Sequence, residues 1–149
     1  MISINEKIKA EKYFGRTDGL IYIAMKDIDF DNQINYETNI RIPASEKFKT
    51  APANTPLLCI EGGSAGRKLG FTNRPVCFVK KLCAFVASEI NPKLMYYFLQ
   101  TQNVAEQFTA MKHGLIGGVS KNLMAINFLL PPRNEQQRIF ALLDELFDL

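Results

Sequence analysis

Apolar positions in this sequence fall into short blocks separated by turn-forming clusters, and their period changes along the chain. Residues 5–18 are polar and charged with no clean period, which predicts an exposed loop or a frayed strand. Leu20–Met25 is an uninterrupted apolar run and predicts a buried strand. Asp27–Asn32 (DIDFDN) reads as a turn, and Gln33–Ile42 as extended chain stopped by Pro43. Ala44–Thr50 predicts a short helix, ended by Pro52 and Pro56. Leu57–Ile60 predicts a strand, Gly62–Gly66 a tight turn, and Val76–Ala87 a long β-rich strand broken by Lys80-Lys81.

The period then becomes helical. Asn91-Pro92 fits a helix start, with proline at the first helical position. Leu94, Tyr97, Phe98, Val104, Ala105, Phe108 and Met111 recur at helical spacing, so Pro92–Met111 predicts one amphipathic helix. Lys112–Ser120 (KHGLIGGVS) reads as a glycine-containing loop and Ile126–Leu130 as a short strand closed by Pro131-Pro132. Asn134 and Gln137 have capping-box spacing. Beyond them Ile139, Leu142, Leu146 and Leu149 form an a/d seam, widened by Leu143 and Phe147. Such a helix is expected either to meet a partner or to pack back on its own domain.

Length and composition narrow the class. At 149 residues the chain has the size of one domain with a sizeable core. Its 47% apolar and 22% charged residues exclude a wholly disordered chain or a disulfide scaffold. No apolar run approaches the roughly 20 residues of a membrane helix. The N-terminus has no apolar signal region, so a soluble, cytoplasmic protein is expected. Cys59, Cys77 and Cys83 form no CxxC pair. Were Cys77 and Cys83 on one strand, they would lie about 20 Å apart, too far to bridge, so buried free thiols are expected. Three scattered cysteines and one histidine lack the ligand spacing of a zinc site, and neither a metal nor a cofactor is expected.

The net charge is +3, but it is unevenly spread. Residues 1–60 hold eight basic and eight acidic residues, residues 61–121 eight and three, and residues 122–149 two and four. An anionic partner would be drawn to the middle of the chain.

Most catalytic signatures fail on spacing. From Gly62, a phosphate loop of form GxxxxGK[ST] would need glycine where Arg67 stands and Ser or Thr where Leu69 stands. Pro131-Pro132 lacks the flanking side chains of an amino-methyltransferase loop, with Leu130 before it and Arg133 after. No (D/E)xK triplet occurs. The single histidine, His113, has no carboxylate beside it, and no convincing active site emerges. What remains is a binding constellation. Arg67, Lys68, Thr72, Asn73 and Arg74 follow the first glycine turn; Lys112, His113, Ser120, Lys121 and Asn122 surround the second. Arg and Lys suit guanine edges and phosphates, and Asn and Thr suit adenine edges and backbone contacts.

Four segments resemble a known family, the specificity subunits of type I restriction–modification systems. PLLCIEGGSAGRKLGFTNRPVCF is similar to their strand, glycine turn, basic stretch and buried strand. NPKLMYYFLQT resembles the helix that follows, and LIGGVSKNLMAINFLLPPRNEQQRI resembles the domain ending. IYIAMKDIDFDNQI fits an earlier strand and turn. The resemblance covers roughly residues 20–149 and implies a target recognition domain. Its fold would be α/β (α+β): a mixed twisted sheet, a packed amphipathic helix and a C-terminal coiled-coil-type helix. Residues 1–132 would form the DNA-reading domain and 133–149 the start of the spacer helix.

In that family two such domains alternate with long helices that pair as a coiled coil. Each domain reads half of a bipartite target, and the helices dock the methyltransferase subunits. The resemblance therefore implies a non-catalytic binder of double-stranded DNA. Its partners would be methyltransferase subunits and, through them, the restriction subunit, with helix-mediated self-association. The alternative is a protein-interaction module acting through Ile139, Leu142, Leu146 and Leu149.

Overall fold

The apolar run at Leu20 becomes strand β1 (Leu20–Ile23). It stops at a single 3-10 turn (Met25–Asp27), where the buried Asp27 carboxylate accepts the Ala24 N–H at 2.9 Å. The computed structural model describes residues 10–86, 88–114 and 132–147, with backbone alone for 112–114 and 147. The remaining strands are β2 (Arg41–Ile42), β3 (Lys49–Ala51), β4 (Pro56–Cys59), β5 (Leu69–Phe71), β6 (Val76–Phe78) and β7 (Leu82–Ala84). The helices are α1 (Pro92–Phe98), α2 (Gln102–Gly114) and α3 (Arg133–Phe147). The fold is α+β.

The strands form a mixed four-stranded sheet, ordered β2-β1-β6-β3, and a three-stranded antiparallel sheet, ordered β5-β4-β7. In the first, β1 and β6 run parallel with Ile21 opposite Val76, and both outer strands are antiparallel. Strand β4 explains why its sequence shows no alternation: it is buried on both faces. Leu57 and Cys59 join the core of the first sheet, with Ile23, Val76, Val79 and Leu82. Leu58 and Ile60 face the helices and pack with Met95, Leu99, Val104, Phe108 and Met111.

Local chemistry sets the boundaries, and several differ from the expectations. The expected helix over 44–50 is absent. Glu46 N–H closes a turn onto Pro43, and Lys49–Ala51 instead completes the edge of β6. Strand pairing and the edge-on contact of Phe48 with Tyr22, 5.7 Å between ring centres, outweigh a weak local preference. The stretch Val76–Ala87 divides at Lys80-Lys81 into β6 and β7, which belong to different sheets, so Cys77 and Cys83 never share a strand.

Asn91 caps α1 through Lys93 N–H at 2.9 Å, with Pro92 at its start, as expected. The single helix expected over 92–111 is two. Thr101 interrupts it: its hydroxyl donates to Phe98 O at 2.8 Å, and its carbonyl accepts the Ala105 N–H. Helix α2 then continues through Gly114, so Lys112 and His113 sit in its last turn rather than in a loop. Helix α3 begins one residue before Asn134, because the Pro132 carbonyl accepts the Gln136 N–H at 2.9 Å. The expected strand over 126–130 lies outside the described residues.

From Ile28 the chain turns at Asp29–Asn32 and then runs extended from Gln33 to Ile40, where exposure alternates residue by residue; the turn and the extended run are where the sequence predicts them. This strap crosses β5 at Gly70. A methyl group there would lie 2.6 Å from Ile34 Cγ1 and 3.4 Å from Ile28 Cδ1. Ile28 and Ile34 bridge each other directly above it. Gly66 has a second steric role: its φ of +77° and the 3.1 Å approach of Phe108 Cβ admit no larger residue without strain.

Three outcomes follow from this packing. Gly70→Ala displaces Ile34, and denaturant unfolding should show a loss of about 1–3 kcal/mol; an unchanged midpoint would remove the strap's dependence on this seat. The three thiols are free, Cys59 and Cys77 buried and Cys83 half-buried. At pH 8 a thiol reagent should label native Cys83 ahead of the other two. Burial pushes the Cys77 thiol up to about 12, from an ordinary value of 9.0. Between those values the native state holds a proton that the unfolded chain releases, so stability falls as pH rises through the window.

Candidate nucleic-acid interface

The strap is held at both ends and in the middle. At its root the Asp27 carbonyl accepts the Asn35 N–H at 2.7 Å. Its tip, Asp29–Gln33, is a closed turn. Asp29 Oδ1 accepts the N–H groups of Asp31 at 2.9 Å and Gln33 at 3.0 Å, and Asp29 N–H donates to Gln33 O. Asn32 adopts a φ of +64°, a conformation asparagine tolerates, and its Nδ2 donates to Gln100 Oε1 at 3.3 Å beside α1.

Each end of the strap presents an aromatic ring to cations from the loops flanking β5. At the tip, Phe30 is 60% exposed. Lys68 Nζ lies 5.1 Å from its ring centre and Arg67 Cζ 5.4 Å. Lys68 Nζ also donates to the Met25 carbonyl at 3.3 Å, which fixes where its charge sits. At the other end the guanidinium of Arg74 stacks 4.1 Å from the ring centre of Tyr36. The Tyr36 hydroxyl accepts the Asn73 N–H at 2.9 Å, and Arg74 Nε donates to Asn73 Oδ1 at 2.9 Å. Among the described residues no carboxylate pairs with Arg67, Lys68 or Arg74, leaving their charges available to an anion.

Beyond Arg74 opens a polar cleft of about 910 Å³, walled by Tyr36, Asn35, Thr38 and Asn39 of the strap and by Arg16 and Arg41. The cations there differ in availability. Arg16 is paired with Asp18 at 2.8 Å, and Arg41 donates to the Gly19 carbonyl at 3.1 Å. At the base of the Phe30 end, burial pushes the Cys59 thiol up, while a backbone hydrogen bond at Glu61 and then the charges of Lys68 and Lys81 pull it down.

In the second half of the glycine turn the backbone donors are already committed. The N–H groups of Ala65, Gly66, Arg67 and Lys68 donate to Gly62, Cys59, Ser64 and Ser64 respectively. Its work is to bring β5 back under Phe108 and to launch Arg67 and Lys68.

Of the sequence-derived candidates, Arg67 and Lys68 fall at one end of β5, and Asn73 and Arg74 at the other. Thr72 is a correction. It is fully buried, and its hydroxyl accepts the Thr55 N–H at 2.9 Å and donates to the Pro52 carbonyl at 2.8 Å. That hydroxyl closes the β4–β5 pair and cannot reach a groove. The side chains of Lys112 and His113, and all of Ser120, Lys121, Asn122 and Leu149, lie outside the described residues. On α3, Leu142 and Leu146 are 53% and 69% exposed, while Ile139 is half-buried. The inner side of α3 meets α1 through Lys93 and Asp144, 3.4 Å apart. Phe30 and Tyr36 were not singled out by the sequence. The available signal was a large apolar residue inside the charged turn DIDFDN, followed by strict alternation.

The sequence profile of the type I restriction modification DNA specificity domain matches residues 3–149. None of the curated proteins matches the chain. One solved structure with a similar fold is described as the structural basis of complex assembly and conformational transition of the type I R-M system. It superposes with a TM-score of 0.66 at 22% identity, over 93% of this chain and 33% of that one. The chain therefore spans about a third of that solved chain. Among the described residues no helix is long and apolar enough to cross a membrane.

Thr72 gives this assignment a direct check. Thr72→Val strands the Thr55 N–H and should lower stability by about 1–3 kcal/mol, with Thr72→Ser largely restoring it. Retention of duplex DNA should be the same for all three proteins at temperatures where each is folded.

Proposed function

The chain belongs to the type I restriction modification DNA specificity domain family, and from that premise we propose that it reads one half of a bipartite duplex-DNA target. The observation that carries the reading is the pair of cation–aromatic ends on one rigid strap, Phe30 with Arg67 and Lys68, and Tyr36 with Arg74. Arg67 and Arg74 are separated by at most about 23 Å of extended chain. At 3.4 Å per base pair that span corresponds to roughly seven base pairs, enough for a half-site of a few pairs with flanking phosphates. Rings that hold guanidinium and ammonium groups in place reduce the conformational entropy lost when those groups meet phosphates or guanine edges.

Binding, on this reading, is the whole task of the domain. Residues 1–132 form the DNA-reading part, with Arg67, Lys68, Asn73, Arg74, Lys112, His113, Ser120, Lys121 and Asn122 as the groove-facing candidates. Residues 133–149 begin the spacer helix, whose outward Leu142 and Leu146 would pair with another helix and help seat methyltransferase subunits, and through them the restriction subunit. Catalysis belongs to those subunits, and the working compartment is the cytoplasm.

The exposure of Leu142 and Leu146 also favours a second reading, a protein-interaction module acting through α3. Salt separates the two, since phosphate contacts release counterions and an apolar helix interface does not.

The test is retention of a random-duplex library by the purified chain across a salt series. DNA reading predicts enrichment of one short motif and a steep fall of affinity with salt. Losing a phosphate contact, as in Lys68→Ala, should weaken all sequences alike and lower the salt slope by about one. Losing a base contact, as in Arg74→Ala, should cost about 1–3 kcal/mol and relax one position. Absence of retention at low salt rules out DNA reading and leaves the helix-partner function.

A further inference from the structure

The fold does not need Phe30 where it stands. It belongs to neither apolar cluster and keeps 60% of its surface in water, yet it sits in a turn closed by its neighbours' hydrogen bonds. Asp29 ties two N–H groups across the tip, Asn32 turns it with a positive φ, and Asn32 Nδ2 anchors it to Gln100. A large ring on a rigid crest is pre-organised to be buried against something else. The flanking ammonium and guanidinium, drawn from a different loop, require that surface to be anionic at its margins and apolar at its centre.

Duplex DNA offers one apolar group on a base edge, the thymine methyl in the major groove. Asp31 decides between the grooves. It is exposed and next in sequence to Phe30. In the minor groove a carboxylate accompanying the ring would meet the acceptor atoms of A·T pairs and a strongly negative potential. In the major groove it meets the amino groups of cytosine and adenine, which donate to it.

We propose that Phe30 is a specificity-determining residue that packs against a thymine methyl in the major groove, while Arg67 and Lys68 neutralise the adjacent phosphates. The assignment rests on the DNA-reading function above. It gives the Phe30 end of the strap an apolar readout and leaves hydrogen-bonded readout to the Arg74 end.

The experiment is motif selection from a random-duplex library with the full chain and with Phe30→Ala, after thermal unfolding has compared the two proteins. The expected wild-type motif contains a fixed T·A pair. Rebuilding that duplex with deoxyuridine at the fixed thymine should weaken wild-type binding about fourfold, the value of one buried methyl group. Phe30→Ala should bind both duplexes equally and lose that one position from its motif, while Phe30→Leu keeps part of the preference. An unchanged motif for Phe30→Ala overturns the proposal, as does indifference of the wild type to deoxyuridine at every thymine of its motif. Brightening of 2-aminopurine placed in the site would reveal base unstacking by an inserted ring, and would overturn it too. A lowered unfolding temperature for Phe30→Ala would make Phe30 a structural residue and overturn its reading role. A wild-type chain that enriches no motif overturns sequence reading itself, and is thereby distinguished from failure of this residue alone.

Discussion

Strand β4 is buried on both faces, and this double burial organises the rest of the molecule. Leu57 and Cys59 close the core beneath the mixed sheet, while Leu58, with Ile60 just past the strand, meets the helices. A strand so placed has no solvent face to absorb a register error, because a slip by one residue would exchange the two cores. The buried hydroxyl of Thr72 and the glycine at 66 both serve this strand. Thr72 joins its start to the end of β5, and Gly66 lets α2 close over the turn that connects them.

The surface that carries function is a consequence of that same geometry. Strand β5 pairs with β4 and offers Gly70 as a gap in its outer face, and the strap fills the gap with Ile28 and Ile34. Once those two side chains are seated, Phe30 and Tyr36 are carried to the opposite ends of β5. There the loops before and after β5 supply Arg67, Lys68 and Arg74. The cation–aromatic pairs are thus not local motifs. They arise where residues distant in sequence are brought onto one edge by core packing.

Helix α3 has a divided character. Its inner side is tied to α1 by the Lys93–Asp144 pair, and its outer side leaves Leu142 and Leu146 in water. A half-exposed ion pair is a weak anchor, and the outer leucines of α3 suit further helix pairing of the kind proposed above.

Much of the fold was legible in the chain. Unbroken apolar runs predicted buried strands at Leu20 and Leu57, the stretch before Pro43 was expected to be extended, and Asn91-Pro92 predicted the start of α1. These are short-range consequences of side-chain period and backbone stereochemistry. The break at Thr101 was written there too, as a hydroxyl able to compete for backbone bonds, but helical apolar spacing on either side masked it. Other features were decided by tertiary structure. Lys49–Ala51 became a strand because β6 offered an edge. Thr72 was withdrawn from the candidate interface because its hydroxyl was needed inside. Phe30 and Tyr36 joined it because packing at Gly70 placed them beside cations more than thirty residues away. Sequence determines which segments must be buried and which backbone conformations are open to them. Which exposed side chains meet is settled only when the buried ones have been packed, since contact across a surface depends on distances that no local period encodes.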